Sequence, residues 1–185
     1  MNIFVLDSNP LKAAAAMDCV RVPKMVVESA QMMASALRRW GATDEQMPIA
    51  KTSGKPYRGG YKHHPCTIWA GDTRDNFKWL ARHAQALLRE YSNRFDKIHA
   101  CHGPIHIMSC KDYIIPEGGL TAFALAMPDE YRPEPVDGEI VYHAYPKFAI
   151  EAYRAYYHSK VHSKGGVHYR HTSPPDWWRG AEVIA

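Results

Sequence analysis

Apolar residues recur along this chain at helical spacing, most regularly between residues 23 and 95. Ahead of them, Ile3-Phe4-Val5-Leu6 is an unbroken apolar run that predicts a short buried N-terminal strand. Ser8-Asn9-Pro10 reads as a helix start, an Asx cap followed by proline, opening an alanine-rich helix to about Asp18. Pro23 can open a second helix that runs to Trp40 and stops at Gly41. Met25, Val26, Ser29, Met33, Ala36, Leu37 and Trp40 make its inner stripe. Lys24, Glu28, Gln31 and Ser35 follow the i, i+4, i+7, i+11 pattern and share a second face.

Residues 41–66 are loop-like and rich in glycine and proline. A third helix is expected from a cap at Asp72 to about Phe95, with Asp75 favouring its N-terminus. Phe77, Leu80, Ala84, Leu87, Leu88, Tyr91 and Phe95 form its core stripe. Asn76, His83, Glu90 and Arg94 share another face, and Glu90 can pair with Arg94 at i, i+4. Residues 96–118 read as irregular or extended, residues 120–127 as a short helix and Ile140-Val141-Tyr142 as a short strand. A last helix begins near Pro146 and carries Ala149, Ala152, Tyr153, Tyr156 and Tyr157. The expected fold is mainly α: a single helical domain over residues 1–185 with a short N-terminal strand and little sheet. Its C-terminal tail, residues 163–185, closes on Asp176-Trp177-Trp178 and is expected to pack on the body.

Charge adds little to this picture. The formal net charge of +4 permits contact with a polyanion through Arg38-Arg39 or the Lys51 to Lys62 loop, without demanding it. No segment approaches the roughly 18 apolar residues of a membrane span, and no membrane partner is expected. The opening residues lack the basic leader and small-residue cleavage site of a signal peptide, which predicts a cytoplasmic protein. The four cysteines, Cys19, Cys66, Cys101 and Cys110, include no C-x-x-C pair, and disulfides are not expected. Cys101, His102, His106 and Cys110 have zinc-compatible spacing, but Gly103-Pro104 and the neighbouring apolar residues favour an extended alternating segment, so no metal and no cofactor is expected. Lys51-Thr52-Ser53-Gly54-Lys55 lacks the first glycine of a nucleotide-triphosphate loop and has the wrong order.

The most telling stretch is Lys62-His63-His64-Pro65-Cys66-Thr67-Ile68-Trp69, where apolar residues mix with groups that exchange protons. Burying charge in such surroundings costs several kcal/mol unless it is paired, roughly what a site and not a plain core would tolerate. Together with other segments it resembles a family of small tailed-phage proteins. Those segments are Asn2-Ile3-Phe4-Val5-Leu6-Asp7, Lys24-Met25-Val26-Val27-Glu28-Ser29-Ala30-Gln31, Glu90-Tyr91 with Arg94, Gly119-Leu120-Thr121, Ala126-Met127-Pro128-Asp129-Glu130-Tyr131, Tyr153-Arg154-Ala155-Tyr156-Tyr157 with Lys160, and Pro175-Asp176-Trp177. The resemblance spans nearly the whole chain. It places the chain near glycosylase-like enzymes that act on DNA bases: pyrimidine-dimer glycosylases and alpha-glutamyl/putrescinyl thymine pyrophosphorylases.

That resemblance implies an enzyme, a DNA base-modifying transferase or a DNA glycosylase, acting on thymine-derived bases in phage DNA. Either it moves an amino donor onto activated hydroxymethyluracil or it excises a base. Its implied partners are a phage duplex with modified pyrimidines and a small amine or amino acid. Both reactions need a carboxylate for the attacking group and cations for anions. Glu28 and Glu90 are the candidate carboxylates, and His64 the candidate general acid. Lys24, Arg94 and Lys160 would hold anions, and Gln31 and Asn76 would read a base edge. Trp69, Tyr91, Tyr153 and Tyr157 would stack on an extruded base. The plainer reading pairs Glu28 with Lys24 and Glu90 with Arg94, buries the aromatics, and leaves His64 as a turn cap.

Two departures stand out. Arg21 occupies a position where the phage family carries histidine, and Cys19 one where it carries an acidic residue. A dimer-specific glycosylase attacks with a free N-terminal amine, whereas the bulk of Asn2 predicts retention of Met1 and the apolar start predicts a buried terminus, both against imine chemistry there. The alternative to an enzyme is a non-catalytic binder, such as an anti-defence inhibitor or a nucleotide sponge.

Overall fold

Six α-helices supply most of the regular backbone in the computed structural model, which describes residues 1–180. Helix α1 (Pro10–Ala15) starts as expected, with the Asn9 side chain accepting from the Leu11 N–H. Helix α2 (Arg21–Arg39) begins two residues before Pro23. Proline in a first turn removes no helical hydrogen bond, so it does not set the boundary. The start is set by Asp18, whose carboxylate accepts from the Val20 N–H and whose carbonyl accepts from the N–H groups of Arg21 and Val22.

The stretch that reads as a turn feeding one long helix is itself a helix, α3 (Pro65–Asp72), with His64 Nδ1 accepting from the Cys66 N–H at 3.2 Å. Thr73 is fully extended and breaks it from α4 (Arg74–Phe95). Thr73, not Asp72, caps α4, its hydroxyl accepting from the Asn76 N–H. Helix α5 (His102–Ser109) replaces the extended segment expected around Pro104. That proline falls in the first turn, and Ile105 and Met108 turn inward at i, i+3.

Two further expectations are corrected. Residues 120–127 form no helix: Phe123–Ala124 is strand β1, paired antiparallel with β2 (His143–Ala144) just beyond the predicted strand. Residues 1–6 form no strand either. Residues 2–6 are buried without strand pairing, and Phe4 adopts a left-handed φ of 36°. The Asn2 side chain stabilises this path, accepting from the Phe4 N–H and donating to the Ala126 carbonyl. Helix α6 (Pro146–His158) follows β2.

Helix α4 packs against α1 and α2, α2 also against α3, and the apolar start threads between them as part of the same hydrophobic cluster. The mainly α character is as expected. Of the predicted tail, Trp178 stacks on His158 at 4.7 Å, Arg154 lies over Trp177, and the Tyr169 hydroxyl donates to the Ala16 carbonyl. Residues 181–185 of that tail lie outside the described residues. Among the described residues, no helix is long and apolar enough to cross a membrane.

Candidate active site

The polar stripe of α2 meets the start of the chain at a cavity of about 360 Å³. Glu28 projects from α2 between two amines. Its Oε2 lies 3.7 Å from the Met1 α-amino nitrogen and its Oε1 lies 3.6 Å from Lys24 Nζ. Oε2 is buried and has no hydrogen-bond partner, whereas Lys24 reaches into solvent. A carboxylate oxygen held beside an amine with its lone pairs uncommitted is placed to accept a proton.

Tyr156 from the end of α6 and Lys160 from the 3-10 turn that follows it (Ser159–His162) also line the cavity. Tyr156 stacks on Phe4 at 6.0 Å, and Lys160 Nζ sits 3.4 Å from the centre of the Tyr156 ring. Burial, then the charges of Arg21 and Lys24, lower the Lys160 pKa to about 8. Arg21 also lines this space, but its guanidinium is bound on all sides. It pairs with Asp18, donates to the carbonyls of Gly166 and Lys160, and bonds Ser163. A guanidinium so engaged cannot replace a histidine as base. It ties the tail to the start of α2 instead.

His64 approaches from the N-terminus of α3. Burial lowers its pKa; the Met1 amine adds to that and the charge of Glu28 opposes it. The same neighbourhood contains Cys66, whose thiol burial pushes up to about 12, leaving it a core residue.

Lys24, Glu28 and Lys160 thus line one cavity, and His64 lies within reach of the Met1 and Glu28 charges without lining it. The other candidates do not line it either. Glu90 grips Arg94 through Nε and Nη2, and Arg94 donates onward to the carbonyls of Ala15 and Met17. Those carbonyls end α1, so the pair closes a helix terminus that backbone alone leaves open. Asn76 is fully buried, donating to the Trp69 carbonyl and the Thr121 hydroxyl and accepting from the Thr121 N–H. Trp69 packs between Trp79 and Phe123. The Tyr153 hydroxyl donates to the Ala124 carbonyl, and that of Tyr157 to Asp18. Tyr91 rests against Phe95 and His99. Gln31 is half-buried on α2 and does not line the cavity.

Two participants escape sequence reasoning. The Met1 amine is discounted there on the bulk of Asn2 and the apolar start; the terminus is indeed buried, yet Met1 lines the cavity beside Glu28. Tyr156 looks like one more apolar position of the last helix. The signal that singles it out is its i, i+4 spacing to Lys160.

No curated protein and no solved structure matches the chain. A family model does, that of pyrimidine dimer DNA glycosylase, over residues 1–102. The matched part contains Met1, Lys24, Glu28 and His64, while Tyr156 and Lys160 come from beyond it. With more than half of the 185 residues so matched, the chain belongs to the pyrimidine dimer DNA glycosylase family.

Proposed function

We propose that this protein acts on pyrimidine nucleotides of DNA at the cavity between Met1 and α2, with the Met1 amine as nucleophile and Glu28 as the carboxylate that handles its proton. The single observation that carries this reading is the 3.7 Å approach of the amine to the uncommitted Glu28 Oε2. In base excision, the lone pair of the neutral amine forms a bond to C1′ of the target nucleotide while the C1′–N bond breaks. The electron pair of that bond leaves on the base, and Glu28 accepts the proton released by the amine and passes it to the departing base. Ring opening then yields an imine. Lys24, Lys160 and Lys164 around the cavity supply positive charge for the flanking phosphates.

Transfer is the second reading, and the surplus of cations over the one lining carboxylate favours it. An amine donor displacing pyrophosphate from an activated hydroxymethyluracil needs such cations to hold the leaving anion. The placement in phage DNA with thymine-derived bases rests on the sequence resemblance.

The test is incubation with duplexes carrying a thymine dimer, hydroxymethyluracil or its phosphorylated forms, followed by borohydride reduction and digestion to nucleosides. A reduced adduct mapping to residue 1 supports excision. A new amine-bearing nucleoside supports transfer. Unchanged nucleosides with no adduct overturn both and leave a non-catalytic binder.

A further inference from the structure

A second cavity, of about 500 Å³, lies further along the same face of α2, between its C-terminal half, the start of α3 and the loop that precedes α3. We infer that it seats a backbone phosphate of the DNA strand whose target nucleotide occupies the Met1–Glu28 cavity. The inference rests on the DNA reading above and deepens it.

Charge is the first ground. Arg38, Arg39, Arg58 and Lys62 line this cavity with His63. Two carboxylates answer the four permanent cations: Asp44 pairs with both Arg38 and Arg58, and Asp72 pairs with Arg39. Two positive charges remain in excess. Guanidinium forks suit phosphate oxygens better than a point charge does.

A second ground is Thr67, a lining residue in the first turn of α3. Thr67 is 3% exposed and its Oγ1 has no hydrogen-bond partner. A buried hydroxyl left unpaired is costly, and an anion oxygen entering here would accept from it.

The loop that brings Arg58 and Lys62 is also built onto α2. Gly59 has a φ of +77°, and a Cβ there would meet Ser35 Oγ at 2.2 Å and the Ser35 backbone nitrogen at 2.5 Å. Glycine allows backbone to lie directly on backbone at this point. Ser35 Oγ then accepts from the Gly60 N–H and donates to the Gly60 carbonyl, and Arg38 Nε donates to the Tyr57 carbonyl. The backbone that bears Arg58 and Lys62 is therefore held against α2 before any ligand arrives.

Continuity with the reactive cavity selects DNA as the source of the phosphate. Glu28 and Ser35 are seven residues apart on one helix, about 10 Å along its axis. That corresponds to about three steps of one DNA strand at roughly 3.4 Å each. His63 faces the second cavity while the adjacent His64 lies within reach of the charges in the first.

The experiment measures binding of the full chain to a duplex of about 20 base pairs, with and without a thymine dimer, across a salt series. Arg58→Ala/Lys62→Ala removes two exposed side chains and is expected to flatten the log K against log salt slope by about 0.9, the share of one phosphate. Arg58→Lys/Lys62→Arg keeps the slope. Gly59→Ala weakens binding with every charge intact. An unchanged slope in the double alanine variant overturns the inference, even where the wild-type protein still forms its borohydride adduct. A flattened slope with no adduct on any substrate keeps the phosphate seat and removes the catalytic reading. Failure of the wild-type protein to bind either duplex overturns both.

Discussion

Tyr157 and Asp18 are hydrogen-bonded to each other twice: the phenol donates to the carboxylate and accepts from the Asp18 backbone N–H, with both residues fully buried. Asp18 also starts α2 and holds Arg21, so this contact ties α6, which brings Tyr156 and leads into the turn that brings Lys160, to the helix that brings Lys24 and Glu28. Burial, and then the negative charge of Asp18, raise the Tyr157 pKa well above that of a free phenol. Tyr157→Phe leaves a buried carboxylate oxygen and an N–H short of a partner, for an expected loss of about 1–3 kcal/mol. Urea unfolding checks this. A loss under about 0.5 kcal/mol, the level of an ordinary surface change, would remove the bracing role.

Glu28→Gln keeps the shape of the side chain and removes its charge. Loss of a positioned proton acceptor is expected to slow adduct formation by about 100-fold to 10,000-fold in single-turnover measurements on dimer-containing duplex. A rate within threefold of wild type excludes Glu28 as the proton acceptor.

Arg94→Met tests the opposite assignment. It strips hydrogen bonds from the Ala15 and Met17 carbonyls and leaves Glu90 without its partner. Stability should fall by about 1–3 kcal/mol. The rate of adduct formation by the folded fraction should not change, and a rate loss matching that of Glu28→Gln would return Arg94 to the chemistry.

Lys160 introduces a pH dependence. With its pKa lowered to about 8, it is charged below that pH and neutral above it. Affinity for DNA should therefore fall as pH rises through about 8, and Lys160→Arg should hold its affinity beyond that point because arginine stays charged. Equal pH profiles for the two proteins would separate Lys160 from anion binding.

His83 governs behaviour in acid. Fully buried, stacked on Trp79 at 5.1 Å and without a partner on either ring nitrogen, it has its pKa lowered by burial to about 3. The unfolded chain binds a proton on this ring near the ordinary value of about 6.5, whereas the native chain does not. Stability is accordingly complete above that value and lost as pH falls from it towards 3, with a limiting slope of about 1.4 kcal/mol per pH unit. Urea midpoints between neutral pH and pH values near 4.5 should shift less in His83→Leu than in the wild-type protein.

Local pattern shows clearly in the helices. The Asn9-Pro10 start, the stripes of α2 and α4 and the Pro146 start of α6 are each encoded within a few residues, and each appears in the structure near its expected place. The stripe Lys24, Glu28, Ser35 is equally legible, because a helix puts i, i+4 and i+11 on one side whatever surrounds it. Breaks governed by one residue's alternative conformations are less so. Thr73 divides what periodicity reads as one approach to a long helix, and Phe123–Ala124 is extended because β2 pairs with it from far along the chain, where the Tyr142 carbonyl also accepts from the Leu125 N–H.

Periodicity gave α4 a second polar face, but not what that face would meet. Asn76 and Arg94 turn out buried and bonded to groups from distant elements, as buried polar groups generally are, whereas His83 is buried against Trp79 of the same helix with no hydrogen-bond partner. The sequence by itself determined a mainly helical chain and the charged face of α2, since both depend on residues within a few turns of one another. Only the tertiary structure decided that the chain's first amine, α2 and the end of α6 meet, because that meeting depends on the left-handed bend at Phe4 and on Asp18 reaching Tyr157, 139 residues away.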